Sequence, residues 1–303
     1  MNPLTVIWAL IVLSTLFWGS NFNAAHALAS DLPALTAAAE RFALAVLVFL
    51  LFRLWAGKPE SRLRWRDAGV LIPLGVLGVF GFNYAFFVAL QTTSALNAAL
   101  IMALSPLVSV LLSVVLLNAR INRAQVAGIV LAFAGVTLVI TGGHVSQLHV
   151  AVGDLWMLMA CLVWSLYSVG AKRYAPQIPP MQFARWTVSI GAGVLIAAAL
   201  LLETPLTTLQ QVPMQTHGLL LYMAICGSVL AYVFWLKGVH AIGPDKAAIA
   251  FNLVPVFTLL VNLLLGTLPE AAQLAGLVMV LAGVLVFNGK LALLLPTRRR
   301  VQV

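Results

Sequence analysis

Apolar residues fall along the chain in ten long blocks, at 4–28, 33–55, 68–90, 94–116, 122–141, 152–172, 181–202, 215–238, 246–266 and 271–292. Short joints bearing Pro, Gly, Asn or charge separate them. Each block approaches the ~20 residues a helix needs to cross a hydrocarbon layer of ~30 Å. The blocks are too long and too uniformly apolar for barrel strands, and a backbone in lipid must satisfy its own hydrogen bonds. The pattern therefore predicts an all-α membrane protein of ten transmembrane helices.

Composition sharpens this reading. Charged residues make up 8% of the 303 and hydrophobic ones 62%, whereas a soluble domain carries about 25% charge. A water-facing surface cannot be covered, which excludes a soluble enzyme, a secreted domain and a disordered chain. The net charge of +9 does not imply nucleic acid, because the positives lie between apolar blocks instead of gathering on one solvated face. With the N-terminus in the cytoplasm, 15 of the 17 Lys and Arg fall at cytoplasmic joints or helix ends, and Arg41 and Arg185 fall within spans. This is the positive-inside pattern. It places both termini in the cytoplasm of a plasma (bacterial inner) membrane. Met1-Asn2-Pro3 carries no positive charge, so the first block reads as a retained span. Cys161 and Cys226 lie in apolar blocks and offer neither metal spacing nor a disulfide framework. No cofactor or metal is expected.

The chain repeats itself. Ala124-Gln125-Val126-Ala127-Gly128 and Ala134-Gly135-Val136 return as Ala272-Gln273-Leu274-Ala275-Gly276 and Ala282-Gly283-Val284, 148 residues on. Tyr84 and Phe86 match Tyr232 and Phe234 at the same offset. Trp18 matches Trp164, Arg41 matches Arg185, and Pro106 matches Pro255 at nearby offsets. Residues 1–145 and 146–292 read as two five-helix repeats, and 293–303 as a basic cytoplasmic tail. Five is odd, so the halves must enter the membrane with opposite orientation. Inverted repeats are a recurrent basis of alternating access, with substrate near the midplane between them.

Phe17-Trp18-Gly19, Leu104-Ser105-Pro106-Leu107 and Leu253-Val254-Pro255-Val256, the latter two followed by Ala-Gln-x-Ala-Gly spans, make the chain resemble the ten-helix EamA-type branch of the drug/metabolite transporter superfamily. The aromatic-rich first and third spans are similar to its aromatic amino-acid exporters, of the YddG type. The resemblance implies export of small amphipathic metabolites such as amino acids. The family's Gly-Glu pair before the fifth span of each half is replaced here by Asn118-Ala119 and Gly266-Thr267, so no role of that glutamate transfers.

Helical spacing puts Trp18 with Asn21, and Trp164 with Tyr167 and Ser168, on common faces. The third spans offer Asn83, Tyr84 and Phe87 against Tyr232 and Trp235, and Asn97 and Asn252 add polar groups in spans four and nine. These twelve residues are the candidate substrate-binding set: aromatic rings give stacking area, and neutral amides and hydroxyls hold a zwitterion without trapping it. Pro106 and Pro255 interrupt their helices and are candidate hinges. Ala124, Gly128, Gly135, Ala272, Gly276 and Gly283 fit close helix packing within the fold. Glu40 is read as the one carboxylate inside a span, leaving a neutral cavity. The alternatives are a multidrug/proton antiporter, which wants a deep carboxylate, and a membrane protein of signalling or structural type. An intramembrane enzyme would need a catalytic set that these spans lack, so the expected partners are a small-molecule substrate and the bilayer.

The charge asymmetry generates a labelling test. A cysteine placed at Ser146 is expected to react with an impermeant reagent from outside; reaction only from the cytoplasm would reverse the topology.

Overall fold

The computed structural model describes residues 2–56, 65–118, 120–143, 151–242 and 250–289. Lys58, Arg62, Arg64, Ala119, Ser146, Lys246, Lys290, the arginines at 298–300, the boundary at 145/146 and the basic tail lie outside the described residues.

Ten membrane helices follow one another: α1 Pro3–Leu28, α2 Ala34–Ala56, α3 Trp65–Leu90, α4 Ala95–Leu116, α5 Arg123–Ile140, α6 Val152–Tyr174, α7 Pro180–Leu202, α8 Met214–Ile242, α9 Leu253–Leu264 and α10 Ala271–Phe287. A short helix, Pro205–Gln211, sits in the α7–α8 link. The first eight are each long and apolar enough to cross a membrane, and α9 and α10 are shorter. No strand occurs among the described residues. Leu54, Leu201 and Leu264 stand on the outside at 78–86% exposure, as a lipid-facing surface requires. We call the end of the bundle where α1 begins the near face, and the opposite end the far face.

The halves repeat in local detail. α5 opens on a capping box from Asn122 and Gln125, and α10 on one from Glu270 and Gln273, each satisfying backbone donors left open by the first turn. Asn118 after α4 and Gly266 after α9 both adopt positive φ, 53° and 80°, the left-handed turn that ends a helix. α4 is broken at Ala103-Leu104, with Pro106 in the first turn of its second piece. A turn at Asn252 stands just ahead of Pro255 in α9. Proline removes one backbone donor and crowds the preceding turn, which accounts for breaks at equivalent depths. α3 and α8 each contain a π-helical stretch, Val76–Gly81 and Met223–Leu230. Such turns leave carbonyls free for other partners.

The repeats do not sit side by side; they interlock. α1 packs on α8 and α9 of the other half, α6 packs on α3 and α4, and α2 packs on α7. The most intimate pairing is α5 against α10. They run antiparallel, so Gly128 meets Gly283 and Gly135 meets Gly276. These pairs exchange under the repeat operation, as residues facing across a two-fold must. A β-carbon on Gly128 would lie 2.5 Å from Gly283 O and from Phe287 N. The small-residue face is thus an internal seam.

Gly128→Ala is therefore expected to destabilise the protein by about 1–3 kcal/mol, the usual range for overpacking. Gly218→Ala, with nothing within 4 Å of the new methyl, should be neutral or mildly stabilising. Thermal unfolding of the two variants in detergent checks the contrast.

Candidate functional site: a cavity between the repeats

The π-turns and the interlocked packing meet at the centre. Gly78 in the first π-turn lies against Tyr167 of α6, where a β-carbon would come within 2.2 Å of the ring; Gly227 in the second lies against Asn21 of α1, at 2.6 Å from Oδ1. These are the same contact made twice. Trp18 donates its indole N–H to Gly227 O at 3.1 Å. On the other half, the Ser165 hydroxyl donates to Ser105 O at 3.0 Å, beside the break in α4.

Between these contacts lies a cavity of about 400 Å³, within the range of about 300–1,000 Å³ common for small-molecule sites. Two aromatic clusters wall it. Trp18, Trp235 and Phe251 have ring centroids 5.3–5.6 Å apart. Trp164 stands 5.1 Å from Phe82 and 5.4 Å from Tyr167. Phe22 and Phe86 meet edge to face at 5.3 Å and line it toward the far face. Ser168, Asn83 and Tyr232 add polar groups, and Pro106 and Pro255 border the cavity beside the helix breaks.

Of the twelve candidate substrate residues, Trp18, Asn21, Asn83, Trp164, Tyr167, Ser168, Tyr232 and Trp235 line the cavity; Tyr84, Phe87, Asn97 and Asn252 do not. Tyr84 stacks on Phe80 and abuts Trp156. Phe87 is buried in packing beside Phe86. Asn97 accepts a bond from Gln273 at 2.7 Å. Asn252 is buried in the turn before α9, with no partner for its amide nitrogen among the described residues. The misplacement of Tyr84 and Phe87 has a simple cause. Matching identities pair α3 with α8 at 148, but the lining residues correspond at 149: Gly78 with Gly227, Asn83 with Tyr232, Phe86 with Trp235. One residue is about 100° around a helix, enough to turn a side chain from cavity to packing.

The expectation of a neutral cavity is also corrected. Arg41 of α2 lines it and is only 6% exposed. Its Nε donates to Ser228 Oγ at 3.2 Å and its Nη1 to Asn83 Oδ1 at 3.5 Å, so it bridges from α2 to both helices that carry π-turns. The signal was present in the sequence as an arginine inside a span, which by default marks a functional position. Glu40 points away: its Oε1 lies 2.8 Å from Nδ1 of His217, and it is absent from the lining. Glu40 is moreover not the one carboxylate within a span, because Asp154 is buried in the first turn of α6 and accepts from the Thr93 hydroxyl.

Polar ties join the halves along the far face. Besides Asp154 with Thr93, Glu203 accepts from the backbone of Leu35 and Thr36, capping α2. Thr216 donates to Asp31 at 2.8 Å. Gln273 donates to Asn97, and His217 meets Glu40. Each pairs a residue of the first half with one of the second.

Comparison with known proteins accords with this architecture. The profile of the EamA-like transporter family matches residues 5–141 and again 151–289. The chain is 37% identical over 93% of both lengths to an uncharacterized transporter, YyaM, of Bacillus subtilis. It is 28% identical to a probable amino-acid metabolite efflux pump of Salmonella typhimurium, over 90% of this chain and 92% of that one. With the aromatic amino acid exporter YddG of Ancylobacter novellus it shares 32% identity over 42% of each chain. Two family matches, one per five-helix repeat, and an aromatic cavity where the inverted repeats interlock place this multi-pass membrane protein in the EamA-like transporter family of the drug/metabolite transporter superfamily.

Proposed function

We propose that the protein exports small amphipathic metabolites, amino acids and in particular aromatic ones, by alternating access of the central cavity. The observation that carries this reading is the aromatic lining contributed by both inverted repeats. Rings with polar tips suit a flat apolar side chain, and neutral hydrogen-bonding groups orient its head without holding it fast. Relatives named as an amino-acid metabolite efflux pump and an aromatic amino acid exporter support the substrate class. The positive-inside pattern supports a cytoplasmic near face and an outer far face. In alternating access the far-face ties between halves break as the cavity turns outward, with the Pro106 and Pro255 breaks as hinges.

Among the described residues no carboxylate lines the cavity, which disfavours an organic-cation antiporter, since such a substrate needs a negative partner to offset dehydration.

Two experiments test this reading. Flux of labelled phenylalanine into inverted vesicles is expected with wild type. Trp164→Ala should weaken apparent affinity about tenfold, the equivalent of one lost aromatic contact of about 1.4 kcal/mol. Tyr84→Ala, whose ring lies outside the cavity, should retain affinity near wild type; equal loss in both would assign the effect to packing. In proteoliposomes, substrate should run down its own gradient without a pH gradient, and Glu40→Gln should keep substantial transport. Uphill movement driven by a pH gradient and abolished in Glu40→Gln would make Glu40 a coupling site instead.

A further inference from the structure

We propose that Arg41 is the anion-recognising residue of the cavity, selecting substrates that present a carboxylate beside an apolar or aromatic body. This deepens the proposed function by naming the head group the site recognises, and rests on that reading only for the location of the site.

Burying a charge is costly. A guanidinium cannot shed its proton to escape burial. In a low-dielectric interior it needs either a counter-ion or full hydrogen bonding of its five donors. Arg41 has neither. Among the described residues no carboxylate lies within ion-pair distance of it, and its polar acceptors are Ser228 Oγ at 3.2 Å and Asn83 Oδ1 at a marginal 3.5 Å. Its neighbour Glu40 is turned to His217 on another face of α2. Among the described residues the lining contains no Asp or Glu. With the Phe42 ring 5.1 Å from its guanidinium carbon, Arg41 is therefore a cation without a carboxylate partner among the described residues, on the wall of a chamber that they otherwise build from rings and neutral groups.

A structural bridge alone explains this poorly. Linking α2 to Ser228 and Asn83 asks only for neutral donors, and an amide or hydroxyl would make those bonds without importing a charge. What arginine adds is a planar fork matched to two carboxylate oxygens. The aromatic rings of Trp18, Trp164 and Trp235 then stand where the body of such a ligand lies. An amine-only ligand meets like charge and no anion. A zwitterion keeps its carboxylate on Arg41 and sets its ammonium against ring faces, an arrangement that stabilises cations.

The test is binding to full-length protein in detergent, read by quenching of tryptophan fluorescence, with four probes sharing a phenyl ring: L-phenylalanine, 3-phenylpropionate, phenylalaninamide and phenethylamine. In wild type the two carboxylates should bind at least about tenfold more tightly than the two amines, the value of one charge-assisted pair. Arg41→Lys should weaken the carboxylates partially and Arg41→Gln at least about tenfold, with amine binding unchanged or improved. The comparison within wild type holds even if a variant folds poorly. Equal affinity of phenylalaninamide and phenylalanine, or no binding of either carboxylate, would overturn the assignment. So would full phenylalanine affinity in a folded Arg41→Gln; if that variant also exports phenylalanine normally, the amino-acid reading stands while the role of Arg41 falls. Conversely, Arg41-dependent binding of 3-phenylpropionate without flux of any amino acid keeps the role of Arg41 and ends the amino-acid reading.

Discussion

An odd number of helices in each repeat is the constraint from which the rest of this structure follows. Five spans reverse the chain's direction, so two copies of one sequence plan enter the membrane upside down to one another. Equivalent surfaces then face each other across an axis in the membrane plane, and contacts come in exchanged pairs. Gly128 with Gly283 and Gly135 with Gly276 are one such pair; Gly78 with Tyr167 and Gly227 with Asn21 are another. Without a hydrophobic drive between helices in lipid, association depends on close backbone approach, and glycine at each of these points allows it.

The π-turns convert that packing into a site. A turn that shifts the usual i→i−4 pattern frees a carbonyl and widens the helix locally. Gly227 O accepts the Trp18 indole, and Ser228, in the same turn, accepts from Arg41. Aromatic anchoring and the cation Arg41 of the lining are thus fixed through one short stretch of α8. The cavity inherits its shape from the repeat and its polarity from where the repeats differ: Asn83 stands opposite Tyr232, and Asn21 opposite Tyr167.

Charge is distributed by function as well as by cost. The acids Asp31, Asp154, Glu40 and Glu203 serve the far face as cross-links between halves, and none of these four lines the chamber. Short polar bonds at a rim are individually modest, about 0.5–1.5 kcal/mol each. A set of them holds one arrangement without locking it, which suits the alternating access proposed for the bundle.

The ten helices, their approximate ends and the inverted duplication were legible in the chain because length, apolarity and internal identity are one-dimensional properties. The Trp and Tyr residues of the lining, Trp18, Trp164, Tyr167, Tyr232 and Trp235, were legible too, since mid-span Trp and Tyr with repeat partners stand out in an apolar background; its phenylalanines, such as Phe22, Phe82 and Phe86, were not. The register of α3 against α8 was not. Identity of Tyr84 with Tyr232 suggested an offset of 148, whereas the lining residues of the packed helices correspond at 149, with Asn83 and Phe86 lining the cavity in place of Tyr84 and Phe87. Nor did the sequence reveal that Glu203, Thr216 and His217 reach across to α1–α2, or that Arg41 faces the chamber while Glu40 faces away. Adjacent residues on a helix diverge by about 100°. Which of them meets the cavity depends on how neighbouring helices rotate about their axes, and that rotation is settled by side-chain packing among distant segments.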